Sequence, residues 1–208
     1  NPDFGIFVHK RKGEVMARPR AFDMETVLNR ATEMFWTRGY HATSMDELLK
    51  HMKLSRASFY TNFTNKETLY QMVLERYRNT QSGVIERVIS LGLSPLETIK
   101  RILTVGLQAD AEGATNRGCF MVNSTSEMET LNEDVKEIIR CNQRDMEGLF
   151  EQLIRKAQEK GEINPSKNAA VLAVYIFSYF QGVKLSSMTH ENVEVLQATL
   201  DVMMGALV

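Results

Sequence analysis

The stretch that decides the fold is residues 43–63, TSMDELLKHMKLSRASFYTNF. Ser44, with Glu47 three residues later, has the spacing of a capping box and predicts the start of a short helix. Ser55 is the expected cap of a second short helix, which we place at residues 56–63. Two short helices joined by a tight turn are typical of a helix-turn-helix.

A longer helix precedes this pair, and another follows it. Asp23 is the expected N-cap of the first, and Gly39 is expected just past its end, where a left-handed residue stops a helix. The apolar residues of this helix recur at helical spacing: Val27, Leu28, Ala31, Met34 and Phe35. Asn65 is the expected cap of the last helix, which starts at Lys66 and carries Leu69, Met72, Val73 and Tyr77.

The second helix of the pair combines apolar anchors with a small, polar face. The expected anchors are Leu54, Phe59 and Phe63, which leave Arg56, Ala57, Ser58, Thr61 and Asn62 on the other side. Arg can donate two hydrogen bonds to guanine, Asn can pair with adenine, and a Thr methyl can contact the methyl of thymine. The pattern therefore predicts a recognition helix that lies in the major groove of DNA.

Hydroxyl and amine side chains flank this helix, and such groups bind DNA phosphates. Those expected to do so are Thr43, Ser44, Tyr60 and Lys66. The full predicted DNA-binding set is Thr43, Ser44, Ser55, Arg56, Ala57, Ser58, Tyr60, Thr61, Asn62 and Lys66.

These residues resemble a known family. In anchors, caps and spacing, residues 22–70 are similar to the DNA-binding domain of the tetracycline-repressor (TetR) family. The matching positions are Ala31, Phe35, Gly39, Tyr40, 43–48, 54–63, Lys66, Glu67 and Leu69. The resemblance implies that residues 56–63 form the recognition helix and that Tyr60 and Lys66 contact phosphates. Beyond residue 80 the resemblance is one of length and helical layout, although residues 117–123 are similar to a Gly-Cys segment common in one branch.

Two positions depart from the family pattern. Many members have glycine in the turn where this chain has Lys53. A non-glycine residue there predicts either a strained turn or a turn of another type. Members often have Tyr-His where Thr61 and Asn62 stand, so the base preference of a relative does not transfer to this chain.

Helical spacing continues to the end of the chain, and no strand-like alternation persists. Expected helices span about 95–111, a short segment capped near Asn123 or Ser124, then 132–160, 169–188 and 191–207, with a loop at 112–118. We therefore predict an all-α fold of about nine helices. An N-terminal helix-turn-helix domain at residues 21–80 precedes a larger helical effector-binding and dimerisation domain at 81–208.

Residues 1–20 are expected to be a basic extension. Residues 1–15 precede Met16-Ala-Arg-Pro-Arg20, which resembles a natural start, so they are either an artificial addition or an upstream start. The basic residues Lys10, Arg11, Lys12, Arg18 and Arg20 form either a minor-groove arm or, the favoured alternative, a solvated tail.

Charge and composition limit the classes of function. Residues 1–66 hold 11 Lys and Arg against 7 Asp and Glu, whereas residues 67–208 hold 14 against 19. A mildly basic N-terminal part followed by an acidic remainder is typical of a protein with one surface that binds nucleic acid. Two cysteines and no apolar run of membrane-spanning length predict a cytoplasmic protein with no membrane partner.

The second domain is expected to bind a small effector and a second copy of the chain. A pocket is predicted between helices 96–111, 120–130, 134–160 and 169–188. Its predicted lining is Phe120, Met121, Asn123, Ser126, Phe150, Tyr175, Tyr179 and Gln181, with Gln143, Met128 and Met146 as further contacts. The last two long helices have more apolar surface than one core needs, which predicts a homodimer.

Cys119 has two interpretations. It follows a glycine near an expected helix start, a setting that suits a redox or electrophile sensor. A buried, small apolar residue is the favoured alternative. The four histidines, His9, His41, His51 and His190, have no metal-ligand spacing with one another or with the cysteines.

The sequence as a whole predicts a transcriptional repressor that binds a palindromic operator as a dimer and is released by a small molecule or by thiol modification. A transcriptional activator of the same build is the alternative among regulators. An α-helical enzyme is the alternative from another class, but no nucleophile elbow, phosphate-binding loop or metal set supports it. No cofactor is expected.

Overall fold

The structure, a computed structural model, describes residues 23–112, 117–189 and 192–208, and the predicted basic extension lies outside these ranges. Within them the chain is all-α, as predicted, with nine α-helices and one 3-10 turn. The helices are α1 Met24–Arg38, α2 Met45–Met52, α3 Arg56–Asn62, α4 Lys66–Ile89, α5 Pro95–Glu112, α6 Phe120–Ser126, α7 Glu133–Glu159, α8 Ala169–Ser186 and α9 Val193–Leu207, and the 3-10 turn is Met128–Thr130.

The predicted caps of the first four helices are confirmed. The Asp23 carboxylate accepts the N–H groups of Glu25 and Thr26 at the start of α1. Ser44 begins α2 with both hydrogen bonds of a capping box, and Ser55 and Asn65 cap α3 and α4. Each cap satisfies backbone donors that a helix leaves unpaired at its start, so short polar side chains set these boundaries locally.

The start of α6 differs from the prediction near Asn123 or Ser124. The helix begins at Phe120, and its N-cap Cys119 makes no side-chain capping bond. Asn123 instead donates to the Arg117 carbonyl oxygen at 2.8 Å. Phe120 and Met121 are buried, so packing against the rest of the molecule starts this helix earlier than any local cap indicates.

Two hydrophobic clusters organise the molecule. The first joins α1–α4 to α6 and the first half of α7, through residues such as Phe120, Val135 and Ile139. The second joins α5, the second half of α7, α8 and α9. The predicted domain boundary at residue 80 lies inside α4, which is one continuous helix and contributes to both clusters. The first cluster therefore connects the helix-turn-helix head directly to the body.

The expectation that no segment has the length and composition of a membrane span is wrong for α8. Its 18 residues are apolar enough to cross a bilayer by those two criteria, and a third of them are buried inside the molecule. Buried residues such as Ile176 and Phe177 pack in the second cluster. An apolar helix with one face in a protein core and one exposed face also fits a helix that pairs with another chain.

The turn between α2 and α3 is a Schellman motif. The Lys53 N–H bonds the Lys50 carbonyl, and the Leu54 N–H bonds the Leu49 carbonyl. Lys53 has φ 58° and ψ 40°, and it is the one non-glycine residue with positive φ in the described chain. The turn therefore has the left-handed conformation that glycine favours. Of the two predicted alternatives, the strained turn is the one present.

Replacing Lys53 by Gly is expected to stabilise the protein by about 0.5–1 kcal/mol. The left-handed conformation costs an L-residue roughly 1–2 kcal/mol, and the greater freedom of glycine in the unfolded chain offsets part of the gain. Lys50→Gly, three residues earlier in a right-handed helix, is the matched control and should cost about 1 kcal/mol. Urea unfolding measures both, and a loss of stability in Lys53→Gly would contradict the assignment.

Candidate DNA-binding head and effector cavity

The predicted recognition helix, α3, is anchored by two buried rings. Phe59 and Phe63 are almost fully buried and lie 5.2 Å apart between ring centroids. The opposite face of α3 is open to solvent, with exposed Arg56, Ala57, Tyr60, Thr61 and Asn62. Ser58 is half-buried, and Ser55 is occupied as the cap. The predicted division is therefore present for the anchors Phe59 and Phe63 and for the exposed face, whereas the third predicted anchor, Leu54, is half-buried against the first cluster.

Several recognition side chains have partners within the protein. Arg56 forms an ion pair with Asp46 of α2 at 2.6 Å, with both side chains largely exposed. Thr61 and Asn62 donate to the carbonyl groups of Ala57 and Ser58 in their own helix. Exposed ion pairs contribute about 0–1 kcal/mol, so Arg56 can leave Asp46 for a base at little cost.

Two predicted phosphate contacts have other partners in the structure. Thr43 is fully buried and donates its hydroxyl to the Gly39 carbonyl at 2.7 Å, so the prediction is wrong for this side chain. The half-buried Lys66 ammonium donates to the carbonyl groups of Tyr40 and Thr43, both at 2.9 Å. Because two of its three protons are used in this way, Lys66 holds the loop at residues 39–43 rather than facing solvent.

Glu127 holds the same loop from the body. Its carboxylate, just after α6, accepts the N–H of Tyr40 at 2.7 Å and that of His41 at 3.3 Å. Gly39 has φ 82°, which favours glycine, and a Cβ there would lie 2.8 Å from the Glu127 carboxylate and would push it from the loop. Burial lowers the pKa of Lys66, and the charge of Glu127 opposes that shift. The loop that leads into α2 is therefore held between a cation of the head and an anion of the body.

Aromatic packing continues this connection between head and body. Tyr70 of α4 is fully buried, and its ring contacts Phe35, Tyr40 and Phe120 at centroid distances of 4.9, 4.9 and 5.9 Å. Its hydroxyl donates to the buried Ser124 hydroxyl at 2.8 Å, and burial raises the pKa of the Tyr70 phenol. The phenol therefore stays neutral, with its hydroxyl hydrogen-bonded, where head and body meet.

A cavity of about 200 Å³ lies beside this junction. It is lined mainly by apolar side chains of α4, α5, α6, α7 and α8, with amides at Gln81, Asn142, Gln143 and Gln181. Cys119 and Lys184 also line it, and the Tyr77 hydroxyl lies 3.4 Å from the Cys119 sulfur. The remaining lining residues are Trp36, Val84, Ile85, Val88, Ile102, Val105, Gly106, Met121, Val122, Thr125, Ile139, Met146, Phe177 and Phe180.

The predicted pocket residues divide into two groups. Met121, Gln181, Gln143 and Met146 line the cavity, together with Cys119. The other predicted residues lie elsewhere. Among the aromatic ones, Phe120 and Phe150 are buried in the core, Tyr175 is exposed, and the Tyr179 hydroxyl is hydrogen-bonded to Thr199. Asn123 and Ser126 donate hydrogen bonds to backbone carbonyls, and Met128 packs on the first cluster. The prediction is wrong for the aromatic residues because an aromatic side chain packs in the core, or lies on the exposed face of α8, as readily as it lines a cavity.

Sequence reasoning missed the contribution of α4 and α1. Tyr77, Gln81, Val84 and Val88 recur at helical spacing along α4, and this stripe could have indicated a second buried face. Trp36 of α1 also lines the cavity, but nothing in the pattern of that helix indicated it.

Comparison with known proteins agrees with this architecture. The sequence profile described as "Bacterial regulatory proteins, tetR family" matches residues 27–73, and "Tetracyclin repressor-like, C-terminal domain" matches residues 95–203. The chain belongs to the TetR family. It is therefore a DNA-binding transcriptional regulator, as the head indicated.

Several TetR-family proteins are similar over nearly their whole length. The transcriptional repressor ComR of Escherichia coli (strain K12) is 27% identical over 183 residues, which cover 86% of each chain. The uncharacterized regulator YezE of Bacillus subtilis (strain 168) is 26% identical over 92% of this chain and 100% of its own. A cysteine mutant of the TetR-family regulator CifR, in complex with 26-bp operator DNA, has a TM-score of 0.79 at 25% identity, covering 91% of this chain and 99% of that one.

Replacing Glu127 by Gln in this TetR-family chain should reduce its free energy of unfolding by about 1–3 kcal/mol. The amide keeps one acceptor but loses the charge that strengthens both hydrogen bonds to the loop. Glu129→Gln changes an exposed carboxylate two residues later and is the matched control, with an expected effect below about 0.5 kcal/mol. Equal losses in urea unfolding would show that Glu127 does not hold the head.

Proposed function

We propose that the protein is a transcriptional repressor that binds a palindromic operator as a homodimer and is released by a small effector in the cavity. The observation that carries this proposal is the shared first cluster, in which the recognition head and one wall of the cavity are packed together. ComR is named as a repressor, and the operator-bound CifR mutant has the same fold. An operator–reporter assay shows whether the protein lowers or raises transcription, since an activator of the same build would raise expression.

The effector is proposed to be a small, mainly apolar molecule. The cavity volume of about 200 Å³ lies below the roughly 300–1,000 Å³ of pockets that take drug-sized ligands. Its apolar walls suit an aliphatic or aromatic body, and the four amides can bind one or two polar groups. An effector releases DNA only if it binds the two conformations unequally, so operator DNA must weaken effector binding by the same factor.

Thiol modification is the second proposed signal. Cys119 is 8% exposed and lines the cavity, so a small electrophile that enters the cavity reaches this sulfur, whereas Cys141 lies outside on α7. In this arrangement the sulfur is both part of the pocket wall and the reactive group. Cys119→Ser should repress without responding to an electrophile, whereas Cys141→Ser should respond like the parent chain.

Specific and general contributions to DNA binding should be separable by substitution. Arg56→Ala or Asn62→Ala is expected to weaken operator binding by roughly 1–3 kcal/mol and to change binding to random DNA little. Lys66→Ala should weaken both alike, because it loosens the loop that positions the whole head. Fluorescence anisotropy with selected genomic operator fragments and a scrambled duplex measures this. An equal loss on both duplexes for Arg56→Ala would contradict its assignment to base recognition.

The homodimer is proposed to form through α8 and α9. Their exposed faces are apolar or small at helical spacing: Val171, Val174, Tyr175, Ser178, Gly182 and Leu185 on α8, and Val195, Ala198, Val202 and Gly205 on α9. Buried residues of α9, such as Leu200 and Leu207, belong to the core of the subunit itself. A closed four-helix interface would cover the exposed faces of both copies.

Val202→Asp should therefore give a folded monomer. Val202 is 76% exposed, so a charge there leaves the subunit core intact but would be buried in the dimer. Leu91→Asp replaces another exposed apolar residue, 59% exposed, in the turn after α4, and serves as the control that stays dimeric. Sedimentation velocity decides between the two states. A dimeric Val202→Asp chain would place the interface elsewhere.

The protein is proposed to act in the cytoplasm without catalysing a reaction. Its membership of a family of transcriptional regulators supports this. The exposed apolar face of α8 has a function in the proposed dimer, which accounts for its hydropathy without a membrane.

A further inference from the structure

We propose that the effector acts on the DNA-binding head directly, by contacting Trp36 of α1. This inference rests on the proposed function, and it assigns to the head a residue of the effector site. The cavity is otherwise lined by α4 and by helices of the body, so Trp36 is the point at which α1 enters its wall.

Trp36 is held in the cavity wall by specific contacts. Its indole Nε1–H donates to the Arg117 carbonyl oxygen at 3.1 Å, and the Arg117 guanidinium lies 5.1 Å from the ring centroid. The ring also stacks on Phe120 and meets Tyr77 edge-on at 5.2 Å. The rings of Trp36 and Tyr77 thus line one face of the cavity, and the ring of Phe120 packs against both from the core. A molecule that enters this end of the cavity must displace or stack on the indole.

Movement of Trp36 is transmitted to the recognition helix because α1 is tied to α2. Arg30 donates to the Met52 carbonyl at the end of α2 at 3.2 Å, and the Glu33 carboxylate lies within hydrogen-bond distance, 3.1 Å, of the His51 Nε2. Arg38 pairs with Glu47 at the start of the same helix. α2 leads through the Schellman turn into α3, and buried residues of all three helices share the first cluster, such as Phe35, Leu48 and Phe59, so α1, α2 and α3 move as one body.

α4 lines the cavity and belongs to both clusters, so it offers one route from the cavity to the head, and the contact with Trp36 adds a second. A tilt of α4 moves the head as a lever, whereas pressure on Trp36 rotates α1 against the body. The Glu127 carboxylate holds the loop after α1, only four residues beyond Trp36, and provides the point about which α1 would turn. The two recognition helices must keep their spacing to enter successive major grooves, so a small rotation of each head is sufficient for release.

A double-mutant cycle tests the proposal without knowledge of the effector. The probe is a larger side chain that takes up cavity space: Val122→Phe on α6, in the cluster that contains Trp36, or Val105→Phe on α5, in the other cluster. Val122→Phe is expected to lower operator affinity about tenfold in the parent chain and less than about twofold in a Trp36→Ala background. Val105→Phe should have the same effect in both backgrounds. An additive cycle for Val122→Phe, or equal coupling at Val105, would overturn the proposal.

A second readout does not depend on the Trp36→Ala chain being folded. Trp36 is the single tryptophan of the protein, so intrinsic fluorescence reports on this residue alone. Val122→Phe should shift the emission maximum of the free protein, and Val105→Phe should leave it unchanged. Unchanged emission in Val122→Phe would show that Trp36 does not respond to filling of the cavity. Failure of the parent chain to prefer operator over scrambled DNA would instead count against the proposed function.

Discussion

The buried contact between Tyr70 and α6 is the interaction on which the rest of the structure depends. The Tyr70 ring lies among Phe35 and Tyr40 of the head and Phe120 of the body, and its hydroxyl is satisfied by Ser124. An unpaired phenol at this depth would cost roughly 1–3 kcal/mol, so the position of α6 and that of the head determine each other. Helix α3, the loop before α2 and the cavity wall are all placed relative to this contact.

Polar contacts around this junction fix the orientation of the head on the body. Hydrophobic burial is non-directional and alone would permit small rotations of the head on the body. Glu127 and Lys66 hold the loop at residues 39–43 through hydrogen bonds to its backbone, which have defined geometry. The apolar core therefore keeps the head attached, and a few charged groups fix its orientation. Such a junction can switch between discrete arrangements without loss of the core.

The cavity lies next to the contacts that hold the head on the body. A pocket deep within the body would need a chain of contacts to reach α3, whereas this cavity is bounded by α4 and by a side chain of α1. Within α6, Met121, Val122 and Thr125 line the cavity while Phe120 packs on Tyr70, so the same seven-residue helix contacts both the cavity and the buried junction. The effector proposed above would therefore bind next to the place where the head is held.

The sequence by itself determined the features that depend on neighbours along the chain. Helix starts at Asp23, Ser44, Ser55 and Asn65 follow from side chains that bond backbone donors two or three residues away. Apolar spacing likewise identified the anchors of α3. Tertiary structure decided what depends on distant residues: the left-handed Lys53, the start of α6 without a polar cap, the burial of Thr43, the internal contacts of Lys66 and the entry of Trp36 into the cavity. Their partners lie on other helices or in the packed core, and spacing within one helix does not indicate which distant surface it will meet.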